Sequence, residues 1–96
     1  MEAPVISADV LARYAGDAAR EVAGVSGLTR DAAEVSRSGE TTDVVVHLAL
    51  DWGASAESVA RRVQQRVVEY LERMAKLQVG SVDVVVERVG APPAKQ

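Results

Sequence analysis

The chain has 96 residues, a formal net charge of −3, 48% hydrophobic and 26% charged residues, no cysteine, one tryptophan, two tyrosines and no phenylalanine. This length supports one hydrophobic core, and the balance of apolar and charged residues is that of a globular chain. The absence of cysteine excludes a disulfide framework, a thiolate metal site and a cysteine nucleophile, while the acidic balance and scarce aromatics count against broad nucleic-acid affinity and base-stacking platforms.

Residues 1–7 lack the basic start and sustained apolar run of a secretion signal, and no stretch approaches the roughly 20 apolar residues that span a bilayer. The expected address is therefore cytoplasmic. Ser7 then opens a helical pattern with Val10, Leu11, Tyr14, Ala15, Ala18, Ala19 and Val22 on its apolar side. Ile6 and Leu11 have the spacing of a hydrophobic staple, Asp9 suits the positive end of the helix dipole, and Gly24 follows as a left-handed C-terminal residue.

A short strand is expected over Ala33–Arg37, with Ser38-Gly-Glu-Thr41 as the hairpin into a longer one. In that second strand Val44, Val46, Leu48, Leu50 and Trp52 form one apolar face. Ser55 reads as the cap of a long second helix, in which Ala56, Val59, Ala60, Val63, Val67, Tyr70, Leu71 and Met74 recur at the 3.6-residue period. A last strand over Ser81–Val89 sets Val82, Val84 and Val86 against Asp83, Val85, Glu87 and Val89. The proline pair in residues 90–96 marks a disordered tail, because proline cannot join a strand ladder.

These elements predict an α+β domain over residues 5–89, in the order α-β-β-α-β. The hairpin makes the first two strands antiparallel, and the intervening helix makes the last two parallel through a right-handed crossover. The result is a mixed three-stranded sheet with both helices packed on one face.

Catalytic signals are sparse. His47 is the only histidine, on the same strand face as Asp43 and Asp51, with no second ligand or nucleophile pattern beside it. No enzymatic activity, cofactor or metal is expected. Gly24-Val-Ser-Gly27 has the G-x-x-G spacing with which KH domains clamp a nucleic-acid backbone, but its middle residues carry no positive charge. A small KH-like RNA-binding domain, using Gly24–Gly27 and the basic face of the second helix, is the alternative function.

Two surfaces stand out as contact candidates. The second helix carries Arg61, Arg62, Arg66 and Arg73 on its polar face, although Glu57–Arg61 and Glu69–Arg73 also have the spacing of ordinary helical ion pairs. If both helices cover one side of the sheet, the other exposes Val45, His47, Val85 and Val89, a patch suited to self-association.

The run from Ile6 to Leu28, with Val44-Val-Val-His-Leu-Ala-Leu-Asp-Trp-Gly53, Val59-Ala-Arg-Arg-Val-Gln-Gln-Arg-Val67 and Val82-Asp-Val-Val-Val86, resembles the bacterial alkaline shock protein and Gls general stress protein family. The resemblance covers about residues 5–89 and lies in the joint order and spacing of these blocks. Ala23 stands where that family usually has proline, Trp52 where it has tyrosine, and Ala75-Lys76 where it has threonine-glycine. The resemblance implies a non-enzymatic stress-response protein of the cell envelope, able to form homo-oligomers and recruited to the inner face of the membrane by a membrane-anchored protein. It brings no catalytic or cofactor-binding residues. The composition of nine arginines against two lysines fits a high-GC bacterial genome.

Overall fold

The computed structural model describes residues 6–92, with elements in the order α1 (Ala8–Arg20), β1 (Val25–Leu28), β2 (Glu34–Ser38), β3 (Thr41–Leu50), α2 (Ala56–Ala75) and β4 (Gln78–Val89). Both expected caps are formed. The Ser7 hydroxyl accepts from the Val10 amide at 3.2 Å, and the Ser55 hydroxyl from the Ser58 amide at 3.3 Å. Each satisfies an amide that the first helical turn leaves without a backbone partner.

β3 is the spine of the sheet. It pairs in parallel with β4 along its length, as expected, while β1 and β2 both run antiparallel to it. β2 pairs with residues 41–45 and β1 with residues 48–50, so these two strands share one side of β3 end to end. The Thr29 amide donates to the His47 carbonyl at 3.1 Å between them, and Ala33 turns inward to donate to the Ala12 carbonyl of α1. The mixed sheet thus has four strands in three columns, one more strand than the sequence pattern indicated. β1 is the addition: Gly24–Gly27 does not stay a free turn but enters the sheet, with Gly27 opposite Ala49.

Strict alternation along β3 buries Thr42, Val44, Val46, Leu48 and Leu50 completely. Against this face pack Leu11, Ala15, Ala18 and Ala19 of α1 and Val59, Val63, Val67 and Leu71 of α2, in one core cluster. The alanines of α1 let its backbone approach closely, and the helices meet at an edge-on Tyr14–Tyr70 ring contact of 5.8 Å. At roughly 1.5–3 kcal/mol for each large aliphatic side chain, this burial outweighs helix propensity in holding α1 and α2.

Several apolar assignments differ from expectation, Ala56 at the start of α2 being exposed. Trp52 lies beyond the end of β3 and is 57% exposed, because the chain turns at Gly53, whose φ is +85°. Val10 and Met74 sit on the rims of their helices and are exposed. β4 starts at Gln78 rather than Ser81, and Leu77 and Val79 pack against the core. At its other end a bulge in the β3–β4 ladder pairs Leu48 with Val86 but Ala49 with Arg88 and Leu50 with Val89. The extra residue moves Val89 off the open face and onto the side of Leu50. Of the expected tail, Gly90 still donates to the Leu50 carbonyl at 2.8 Å, and residues 93–96 lie outside the described residues, as do residues 1–5 at the other end.

Candidate interaction surface

Because both helices cover the Val44–Leu50 side, the opposite face of the sheet has no layer over it among the described residues. Val45, His47 and Ala49 of β3 are half-buried there, and Val85 of β4, opposite His47, is 38% exposed. Three of the four sheet residues singled out in the sequence therefore share this surface; Val89 does not.

The face is less apolar than its valines indicate, because a polar bridge crosses it. Glu87 of β4 accepts from the Thr29 hydroxyl at 2.5 Å and lies 3.6 Å from Arg30 Nε, which also stands 3.5 Å from Glu34 through its Nη1. His47 lies between the two carboxylates, its Nε2 3.3 Å from Glu34 and its Nδ1 3.4 Å from Glu87. Its neighbours are thus Glu34 and Glu87 from the flanking strands, not Asp43 and Asp51 of its own chain segment. Its Nε2 is within hydrogen-bond reach of Glu34, whereas the buried Nδ1 makes no hydrogen bond among the described residues. The Thr29 hydrogen bond, helped by Arg30, holds the Glu87 carboxyl below its ordinary pKa.

Sequence reading missed Thr29, Arg30, Glu34 and Glu87 as parts of one cluster. They come from β4 and from the broken β1–β2 column, and only strand register brings them together. The acidic alternation of β4 was the one local signal.

The α2 arginines divide into two kinds. Arg61 pairs with Glu57 at 2.6 Å along the helix, and Arg66 reaches Glu21 at the end of α1, also at 2.6 Å. The Glu21 hydrogen bond and charge raise the pKa of Arg66 above its ordinary value. Arg62 and Arg73 are exposed and form no ion pair among the described residues. Half of the expected basic stripe is therefore neutralised in place. Beside it, a groove of about 620 Å³ runs between α2 and β4, lined by Gln64, Gln65, Val68, Val79 and Asp83 among others. There Gln64 donates to the Val82 carbonyl at 3.0 Å, satisfying part of the outer edge of β4.

Gly24–Gly27 lacks the geometry of a nucleic-acid clamp. The Gly24 carbonyl accepts from Asp51 at 2.8 Å, the Val25 amide donates to Val22, and Gly27 is paired in the sheet, so the segment is committed to the fold. Among the described residues no group of three or more His, Cys, Asp or Glu side chains is placed to hold a metal ion, and no helix is long and apolar enough to cross a membrane.

The same fold occurs in solved structures of MamM CTD. One, of segment 215–293, is 19% identical, covers 78% of this chain and 90% of its own, and superposes with a TM-score of 0.54. A single-site variant is 20% identical, with coverages of 78% and 89% and a TM-score of 0.53. At these identities the likeness concerns the fold alone. No curated protein matches the chain. The model of the alkaline shock protein family, described as having a cell envelope-related function, matches residues 30–91, from the polar bridge to just past the end of β4, and the chain belongs to this family.

Proposed function

We propose that the protein is a non-enzymatic interaction module of the bacterial cell-envelope stress response, working on the cytoplasmic side of the membrane. It associates with itself through the open sheet face and is recruited by a membrane-anchored protein through the exposed side of α2. The observation that carries this reading is the one-sided packing of the sheet: both helices lie on the Val44–Leu50 side, and Val45, His47 and Val85 face outward. Membership of a family with cell envelope-related function supports the setting. Arg62 and Arg73 are the α2 cations free to meet an acidic partner, and in this reading the membrane anchor belongs to that partner. The commitment of Gly24–Gly27 to the fold leaves the alternative of RNA binding with only the basic face of α2 to rest on.

Photo-crosslinking in cells tests both halves. A crosslinkable residue at Val45 is expected to trap a product of twice the monomer mass, and one at Arg62 a heavier product in the membrane fraction that is lost on Arg73→Glu. A protein that stays monomeric at Val45 and cytosolic at Arg62 contradicts the proposal.

A further inference from the structure

The open face carries two unpaired charges of opposite sign at different rows of the sheet. In the β3–β4 register Asp83 lies beside Val45 and Arg88 beside Ala49, so both face outward, about 13 Å apart along the strands. Both are exposed, and neither forms an ion pair among the described residues. Glu34 and Asp43 stand at the Asp83 end, while Arg30 and Glu87 of the polar bridge offset one another, which leaves Arg88 as the unpaired charge toward the other end. The row between them, His47 and Val85, is the midpoint.

We propose that the occupant of this face is a second copy of the chain, stacked face to face about a two-fold axis that crosses the strands at the His47–Val85 row. The proposal rests on the self-association reading above and specifies its geometry. Rotation about that axis lays β4 antiparallel over β4 of the other copy. Each Asp83 then meets the other copy's Arg88, forming two equivalent ion pairs around a centre of Val45 and Val85. Sheets stacked in this way lie about 10 Å apart, a gap that an arginine and an aspartate span together. Rotation about an axis along the strands instead sets β4 over the β1–β2 column and leaves both charges without these partners.

The dimensions call for a weak dimer. Three columns spaced about 4.8 Å and some ten residues long present roughly 400 Å² per copy, about 800 Å² in total, below the ~1,200–2,000 Å² of a standard stable interface. Charge therefore decides orientation more than it supplies affinity. Edge-to-edge pairing of β4 is disfavoured by the Gln64 amide on Val82 and by the bulge before Arg88.

The test is a charge swap read by sedimentation equilibrium at about 100 μM in low salt, with circular dichroism melts to confirm folding. Asp83→Arg and Arg88→Asp, each alone, place like charges together twice per dimer and are expected to weaken self-association about tenfold. In their equimolar mixture the introduced arginine of one chain meets the introduced aspartate of the other, and the native Arg88 and Asp83 meet at the second position. The double-swapped chain makes both pairs with itself, in reversed polarity. Mixture and double swap are each expected to regain wild-type association. A mixture as weak as the single variants overturns this geometry, as does a dimer indifferent to every swap, while either leaves self-association standing. A wild-type chain that is monomeric under these conditions overturns the geometry and self-association together.

Discussion

The Thr29 hydroxyl donates to Glu87 across the face of β3, joining residues 58 positions apart and tying the broken β1–β2 column to β4. This bond is the largest cause of the lowered Glu87 pKa, from an ordinary 4.5. A carboxylate with a lower pKa folded than unfolded stabilises the fold above its unfolded pKa, and the contribution disappears as pH falls through the folded value. The wild type is therefore expected to exceed Glu87→Gln in stability at pH 7, with the gap closing below about pH 4.5. Urea melts across pH 3–7 check this, and a gap that widens on acidification contradicts it.

Gly24 is held where a side chain cannot go. Its φ is +98°, and a Cβ there would stand 2.7 Å from Val59 Cγ2 in α2. Gly24→Ala is expected to cost about 1–3 kcal/mol, through backbone strain and displacement of Val59. Gly27, whose Cβ would meet nothing within 4 Å, is the comparison, and Gly27→Ala is expected within about 0.5 kcal/mol of wild type. Equal stability of the two variants by urea denaturation would show that the Gly24 turn is not constrained.

Thr42 occupies the helix-facing side of β3, fully buried, with a hydroxyl that has no hydrogen-bond partner among the described residues. Thr42→Val replaces that hydroxyl with a methyl of similar size and is expected to stabilise the protein by about 1 kcal/mol. A fall in melting temperature would show that the hydroxyl is satisfied in solution.

Lys76 ends α2 in the left-handed region, at φ 53° and ψ 40°, where glycine is the residue without a steric penalty. An L side chain there costs about 1–2 kcal/mol, part of which glycine gives back through greater unfolded-state freedom. Lys76→Gly is accordingly expected to gain about 0.5–1 kcal/mol in thermal or urea melts. A loss would place a stabilising contact on the Lys76 side chain.

Much of the scaffold was legible because it depends on local patterns. Ser7 and Ser55 announce the helix starts, and the two-residue alternation of Val44 to Leu50 announces the spine. β1 was hidden because Val25-Ser-Gly-Leu28 reads as turn chemistry; its pairing depends on the distant residues 48–50 and on Gly24 turning the chain back. The bulge before Arg88 was equally invisible, since it is a property of two strands in register, and it displaced Val89. The same holds for the surface. His47 was identifiable as unusual, but its partners Glu34 and Glu87 are 13 and 40 positions away and reach it through β2 and β4.

In the proposed function the open sheet face is where this protein meets its own kind. Sedimentation velocity across about 5–500 μM, comparing wild type with Val45→Lys, tests it most directly. The expected result is a sedimentation coefficient that rises with concentration for the wild type, and a monomer at every concentration for a folded Val45→Lys chain. A wild type that stays monomeric throughout, or a variant that associates as well as the wild type, would contradict it.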